Sequence, residues 1–210
     1  MRRTWMTAGC LILAGVWLGP LPGLAPRAFV AHMIMHMGVV AVAAPLLALG
    51  VAGGRYDPVS RAPRWFAPIP ASVVELVVVW AWHAPVLHRE ARHCMGGLAA
   101  EQGMFLLVGL WMWLSALGGN AQGGGDRTAA GIVGLLLTAM HMTLLGALLG
   151  LSPRPLYAHA GGVYGLTALE DQHLGGAVML LVGGISYLAG GLGLTAKLLR
   201  TPAMASRGRG

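Results

Sequence analysis

The chain has 210 residues, 56% of them hydrophobic and 10% charged, with a formal net charge of +7. The apolar residues come in long uninterrupted blocks, which is the composition of a membrane protein and not of a soluble domain. The basic residues are dispersed over short connecting stretches instead of gathered on one segment, which argues for the lipid bilayer as partner and against nucleic acid.

A hydrocarbon core of roughly 30 Å takes about 20 apolar residues per helix. Blocks of about that length run over Thr4 to Gly19, Ala28 to Gly50, Ala71 to Leu87, Gly97 to Leu117, Thr128 to Leu151 and Leu174 to Leu199, each bounded by Pro, Gly or charge. The fold class predicted is therefore all-α, a polytopic transmembrane helical bundle of about six spans. Residues 1–27 read as a first transmembrane helix or uncleaved signal-anchor followed by an outer loop. Arg2 and Arg3 before a short apolar run also suit a secretory signal, but Pro26 is a poor residue to follow a cleavage site, so a retained helix is expected. Residues 28–200 form the bundle. The segment NAQGGGDR, 120–127, reads as a flexible inner loop, and 201–210 as a disordered basic cytoplasmic tail lying against an anionic leaflet.

With both termini in the cytoplasm, the inner side holds Arg2, Arg3, Arg55, Arg61, Arg64, Arg127, Lys197, Arg200, Arg207 and Arg209, and the outer side Arg27, Arg89, Arg92 and Arg154, as the positive-inside rule requires. Cys10 and Cys94 fall on different segments and indicate no disulfide framework. In the last span, Ser186 with Gly190 and Ala189 with Gly193 make small-xxx-small pairs, expected to serve bundle packing.

This orientation sends the polar residues of the spans to one side. His32 and His36 open the second helix, His83 closes the third, Glu101 lies near the start of the fourth, His141 is past the middle of the fifth, and Asp171 and His173 open the sixth. Glu75, near the inner end of its block, is the exception. Ionisable residues inside a membrane are costly and face a bundle interior or cavity. His32 and His36, four apart, share one helix face, and Met33 and Met37 form a second stripe about 100° around. Imidazole suits copper, zinc and iron, while thioether sulfur biases the choice toward Cu(I). The candidate metal-ligating set is His32, His36, His83, Glu101, His141, Asp171 and His173, with Met33 and Met37.

Each feature also has a plainer reading. A histidine pair can be interhelical hydrogen-bonding glue. Met35, Met140, Met142 and Met179 read as core filler, Trp80, Trp82, Trp111 and Trp113 as packing or interfacial aromatics, and His88, His93 and His159 as outer-loop residues. The string HCM at 93–95 would also make a soft capture site.

Four strings carry a resemblance: FVAHMIMHMGVVAVAAPLLALG (29–50), VWAWHAPVLH (79–88), EQGMFLLVGLWMW (101–113) and LYAHAGGVYGLTALEDQHLGGAVM (156–179). In this order they resemble the landmark segments of the multi-span CtaG-type cytochrome c oxidase assembly factors. The resemblance implies a multi-pass protein of the bacterial inner membrane that serves the maturation of a haem-copper oxidase, with copper handling as the usual proposal. It carries over to His32, His36, His83, Glu101, Asp171 and Gln172, whereas His173 departs from the family pattern.

The function expected is non-enzymatic: Cu(I) held at the outer half of the bundle and passed to an oxidase subunit, with a periplasmic copper donor protein as a second partner. A zinc-dependent intramembrane hydrolase with Glu101 as general base is the alternative. Haem ligation fits less well, since two histidines four apart point the same way.

Overall fold

The computed structural model describes residues 1–119, 124–157 and 165–207. It is 85% helical with no strands among the described residues. His159 and residues 120–123 lie outside them.

The first helix, α1, spans Arg2–Leu18 and gives way at Pro20 to the single turn α2, Leu21–Leu24. The second span runs from Phe29 to Val51 in three parts: α3 (Phe29–Met37), a π-helical stretch (Gly38–Ala43) and α4 (Ala44–Val51). Pro45 explains the middle part. Proline lacks an N–H and its ring crowds the carbonyl four residues back, so the helix widens and the Ala44 amide reaches Val39 O. The carbonyls this strands are satisfied from other helices: the Trp113 indole N–H donates to Val40 O at 2.9 Å, and the Ser186 hydroxyl to Ala41 O at 2.5 Å.

On the next connection, α5 (Pro58–Arg61) is capped by Asp57, whose buried carboxylate accepts from the amides of Val59, Gly53 and Gly119 at 2.9, 2.7 and 2.8 Å. This one side chain ties together the loops at that end of the bundle.

The third span is α6 (Pro68–His83), and it does not continue to Leu87 as the hydropathy predicts. Ala84, held extended ahead of Pro85, breaks it. The chain turns by 70° into α7, Pro85–His93. His88 and Arg92, read above as loop residues, thus sit on a helix laid across the mouth of the bundle.

Three long helices follow: α8 (Met95–Leu117), α9 (Gly124–Gly150) and α10 (Ala168–Arg207). Helix α9 begins inside the NAQGGGDR segment, so Gly124 to Arg127 form its first turn and not a loop. Arg127 holds that turn down by donating to Phe66 O at 2.9 Å and Gly118 O at 3.3 Å. A capping box starts α10: the Thr167 amide donates to Glu170 Oε2 at 2.8 Å, and the Glu170 amide to Thr167 Oγ1 at 3.3 Å. The helix runs on to Arg207, through most of the stretch read as a tail. Among the described residues, five helical segments are long and apolar enough to cross a membrane, and the bent α6–α7 pair, counted as one span, makes a sixth.

Of the small-residue pairs in α10, Gly190 packs under the Trp113 ring and Ser186 bonds Ala41, whereas Gly193 faces open space. The tightest crossing lies elsewhere. A Cβ on Gly176 would sit 2.6 Å from the Gly150 amide nitrogen and 2.8 Å from Gly146 O, both backbone atoms that cannot swing aside. Gly176→Ala is therefore expected to lower stability by about 1–3 kcal/mol, read as a depressed thermal midpoint in detergent. Gly184→Ala, with nothing within 4 Å, should leave it unchanged.

Candidate metal centre

The starts of α3, α8 and α10 and the ends of α6 and α9 meet at one end of the bundle, and α7 lies over them. Asp171, in the first turn of α10, places α3. Its Oδ2 accepts from the Phe29 amide at 2.6 Å and its Oδ1 from the Val30 amide at 3.0 Å. A buried carboxylate from another span thus caps a helix whose own first residues offer no side-chain cap. Next to it, Gln172 Nε2 donates to Leu149 O at 3.1 Å and Oε1 accepts from the Leu156 amide at 2.6 Å, which locks α9 and its following loop to α10.

Within this frame four imidazoles come together. His32 and His36 from α3 stand with parallel rings 6.3 Å apart. His83, at the end of α6, lies 5.4 Å from His32 and 5.1 Å from His36, and His88 from α7 lies 4.8 Å from His32, all between ring centroids. Phe105 forms the floor, 4.1 Å from His36. Phe29 and Tyr157 wall the far side, with their rings stacked at 4.5 Å. Tyr157 donates its hydroxyl to His83 O at 2.7 Å. Burial, aided by the charge of Glu101, raises the Tyr157 phenol above its ordinary range, which keeps it a donor.

The charged part of the site is an arginine and a glutamate. Arg92 Nη2 donates to both carboxylate oxygens of Glu101, at 2.6 and 2.5 Å, and to His32 Nδ1 at 2.9 Å. His32 Nδ1 is 3.4 Å from Glu101 Oε2. Since arginine can only donate, His32 Nδ1 accepts here. Gln102 Nε2 adds a contact to Glu101 at 3.3 Å.

The donor chemistry suits a metal ion. His32, His88 and Glu101 can each bring one ligand atom within 4.8 Å of the others. His83 Nδ1 lies 2.7 Å from Val79 O, which only accepts, so its Nε2 presents a lone pair. That Nε2, both ring nitrogens of His36 and both of His141 are buried without a hydrogen-bond partner. Buried nitrogens are ordinarily paired, and a neutral imidazole keeps one lone pair, so His36, His83 and His141 each have one to offer.

Asp171, His173 and the two methionines stand apart from this cluster. Asp171 spends both oxygens on α3. His173 is half-buried, with Nε2 at 2.9 Å from Ser152 O. Met33 packs on Gly175 and Met37 on Gly183 of α10, on the side of α3 facing that helix. His141 is buried on α9, one turn beyond Thr138. Sequence reasoning missed His88 and Arg92 because charge in HREARH reads as loop; their spacing of four, on one helical face, was the available signal. Cys94 is exposed and caps α8 by accepting from the Gly97 amide at 3.3 Å, while His93 is exposed.

A polytopic helical membrane protein with a buried imidazole–carboxylate cluster at one end of the bundle is the class these features define. The family described as cytochrome c oxidase caa3 assembly factor (Caa3_CtaG) matches residues 1–201, and the chain belongs to that family. No curated protein and no solved structure matches it.

Replacing Asp171 tests its part as a cap. Asp171→Ala leaves two buried amides of α3 unpaired and is expected to cost about 2–4 kcal/mol, since each such group costs about 1–3. Asp171→Asn, which keeps one acceptor oxygen, should cost less. Thermal unfolding in detergent orders the three proteins.

Proposed function

We propose that this assembly factor holds Cu(I) in transit at the histidine cluster and passes it to a subunit of the oxidase it serves. The observation that carries this reading is the set of orphaned imidazole nitrogens on His36 and His83, gathered beside His32 and His88 in the interior of a membrane bundle, with those of His141 buried on α9. Such an arrangement is costly unless something binds there. Imidazole suits copper, and a haem-copper oxidase is a client that needs it. The mechanism is ligand exchange, with no bond-breaking chemistry.

Arg92 supplies the exchangeable part. In the arrangement seen, its guanidinium holds the Glu101 charge and covers His32 Nδ1. A cation arriving at His32, His88 and Glu101 takes over the charge that Arg92 balances, and Arg92, mounted on the short α7 at the mouth, moves aside. When the ion leaves, the arginine returns. The site is thereby never left with a bare buried carboxylate, which keeps release from being prohibitive. The distribution of arginine and lysine supports an orientation with the site under the outer surface and both termini in the cytoplasm. A periplasmic donor protein would then load the site.

The His32, His88 and Glu101 grouping also matches a zinc donor set of two histidines and a carboxylate. Loading with either metal separates the two readings. After anaerobic incubation with Cu(I) or with Zn²⁺, the purified full chain is expected to retain copper, and His36→Ala combined with His83→Ala to lose it. Equal copper in both proteins overturns the assignment, and retention of zinc alone favours the other metal. Arg92→Gln is expected to tighten Cu(I) binding by about tenfold, the factor that ~1.4 kcal/mol of removed competition gives, measured by titration against a chromogenic Cu(I) chelator.

A further inference from the structure

Along α6 from His83, eight residues and about 12 Å of helix deeper into the bundle, lies Glu75. The sequence reading put it near the inner end of its span. Because α6 starts at Pro68, Glu75 sits halfway along the helix and has no exposed surface. Its Oε2 is 3.1 Å from Thr138 Oγ1 of α9, and its Oε1 is 3.3 Å from the Tyr187 hydroxyl of α10. Thr138 Oγ1 is in turn 2.9 Å from Ser72 Oγ, one turn back on α6. Beneath Tyr187, the Trp113 ring of α8 stacks at 5.3 Å with an interplanar angle of 7°.

What Glu75 lacks is a cation. The carboxylate–cation contacts found among the described residues both involve Glu101. Within eight residues of these side chains on their own helices, the other titratable groups are His83 two turns away on α6, His141 one turn beyond Thr138 on α9, and Tyr187 itself. An ionised carboxylate in a dry interior is unfavourable by many kcal/mol unless a positive charge joins it. A metal ion fits poorly, because a hard cation such as Ca²⁺ takes 6–8 oxygen ligands and the cluster offers four oxygen-bearing side chains with no nitrogen or sulfur.

A proton fits, and the hydroxyls accommodate it. With the proton on Oε2, Glu75 donates to Thr138 and Thr138 donates to Ser72. Without it, Ser72 donates to Thr138 and Thr138 to Glu75. Tyr187 donates to Oε1 in both states. The same heavy-atom positions serve both arrangements, and only the direction of the hydroxyl chain reverses.

We propose that Glu75, with Ser72, Thr138 and Tyr187, forms a proton-binding site in the middle of the bundle, where the carboxyl is held as the neutral acid, donating to Thr138 and accepting from Tyr187. It is separate from the histidine cluster and stands whether or not copper binds there.

Infrared spectroscopy of the full chain in lipid at neutral pH, without metal, tests it. The wild type is expected to show a carboxylic-acid C=O band that shifts down after transfer to D₂O and is lost in Glu75→Gln. Thr138→Val should keep the band and move it, because one hydrogen bond to the carboxyl is gone; this variant serves if Glu75→Gln fails to fold. Identical wild-type and Glu75→Gln spectra in the carboxylic-acid region would overturn the site, as would a band unmoved in Thr138→Val.

Discussion

In hydrocarbon no water is at hand for a freed backbone group, so every helix irregularity in a membrane span must be repaired from within the chain. The span bearing His32 and His36 has two such places. Its first amides are held by Asp171 of α10, and the carbonyls released ahead of Pro45 are taken by Trp113 of α8 and Ser186 of α10. The repairs come from two other spans and each is directional. Together they set the height and rotation of α3, and with it where two imidazoles point. The histidine pair is positioned by the unmet needs of its own backbone.

The two deeply buried glutamates show two ways to house a carboxyl in such a bundle. Glu101, near the mouth, borrows the charge of Arg92 from the bent helix above it. Glu75, in the interior, is surrounded by hydroxyls and one aromatic ring. The difference follows from geometry. A long guanidinium can reach a group one or two turns below the surface from a helix lying across the end, but nothing of that length reaches the middle of a span. Position along the membrane normal thus decides which chemistry is open to each carboxyl. The first arrangement can exchange one cation for another, and the second suits the smallest cation alone.

The spans were legible because hydropathy acts over about 20 residues and lipid tolerates no ambiguity about which stretches are apolar; the block from Ala28 to Gly50 differs from the observed span by a residue at each end. The i, i+4 rule likewise placed His32 and His36 on one face. It said nothing about what the neighbouring faces meet. Met33 and Met37 look like soft ligands by composition, yet they lie against glycines of α10, where smooth helix surface needs a flexible side chain to fill it. Asp171 read as a ligand because a carboxylate at a helix start and a carboxylate aimed at a neighbouring helix's amides are the same letter. Pro85 signals a break, but the direction of the 70° turn depends on tertiary packing, and it is this turn that brings His88 and Arg92 over the core.

In the proposed copper transit, helix α7 resolves a conflict between holding and releasing the ion. Four imidazoles on rigid, fully packed spans would make a trap, since any ligand exchange would require a whole helix to move. Here His32, His36 and His83 are on the spans, while His88 and Arg92 are on a short segment joined to α6 by the bend at Ala84 and Pro85, whose outer face carries the exposed Arg89 and Glu90. In the proposed transit this is the part of the cluster that shifts, while the rest stays fixed by its backbone repairs. The guanidinium that neutralises Glu101 travels with the same segment as His88, so loss of one donor and return of the balancing charge are tied to a single displacement. A carrier needs that linkage and a resident cofactor site does not.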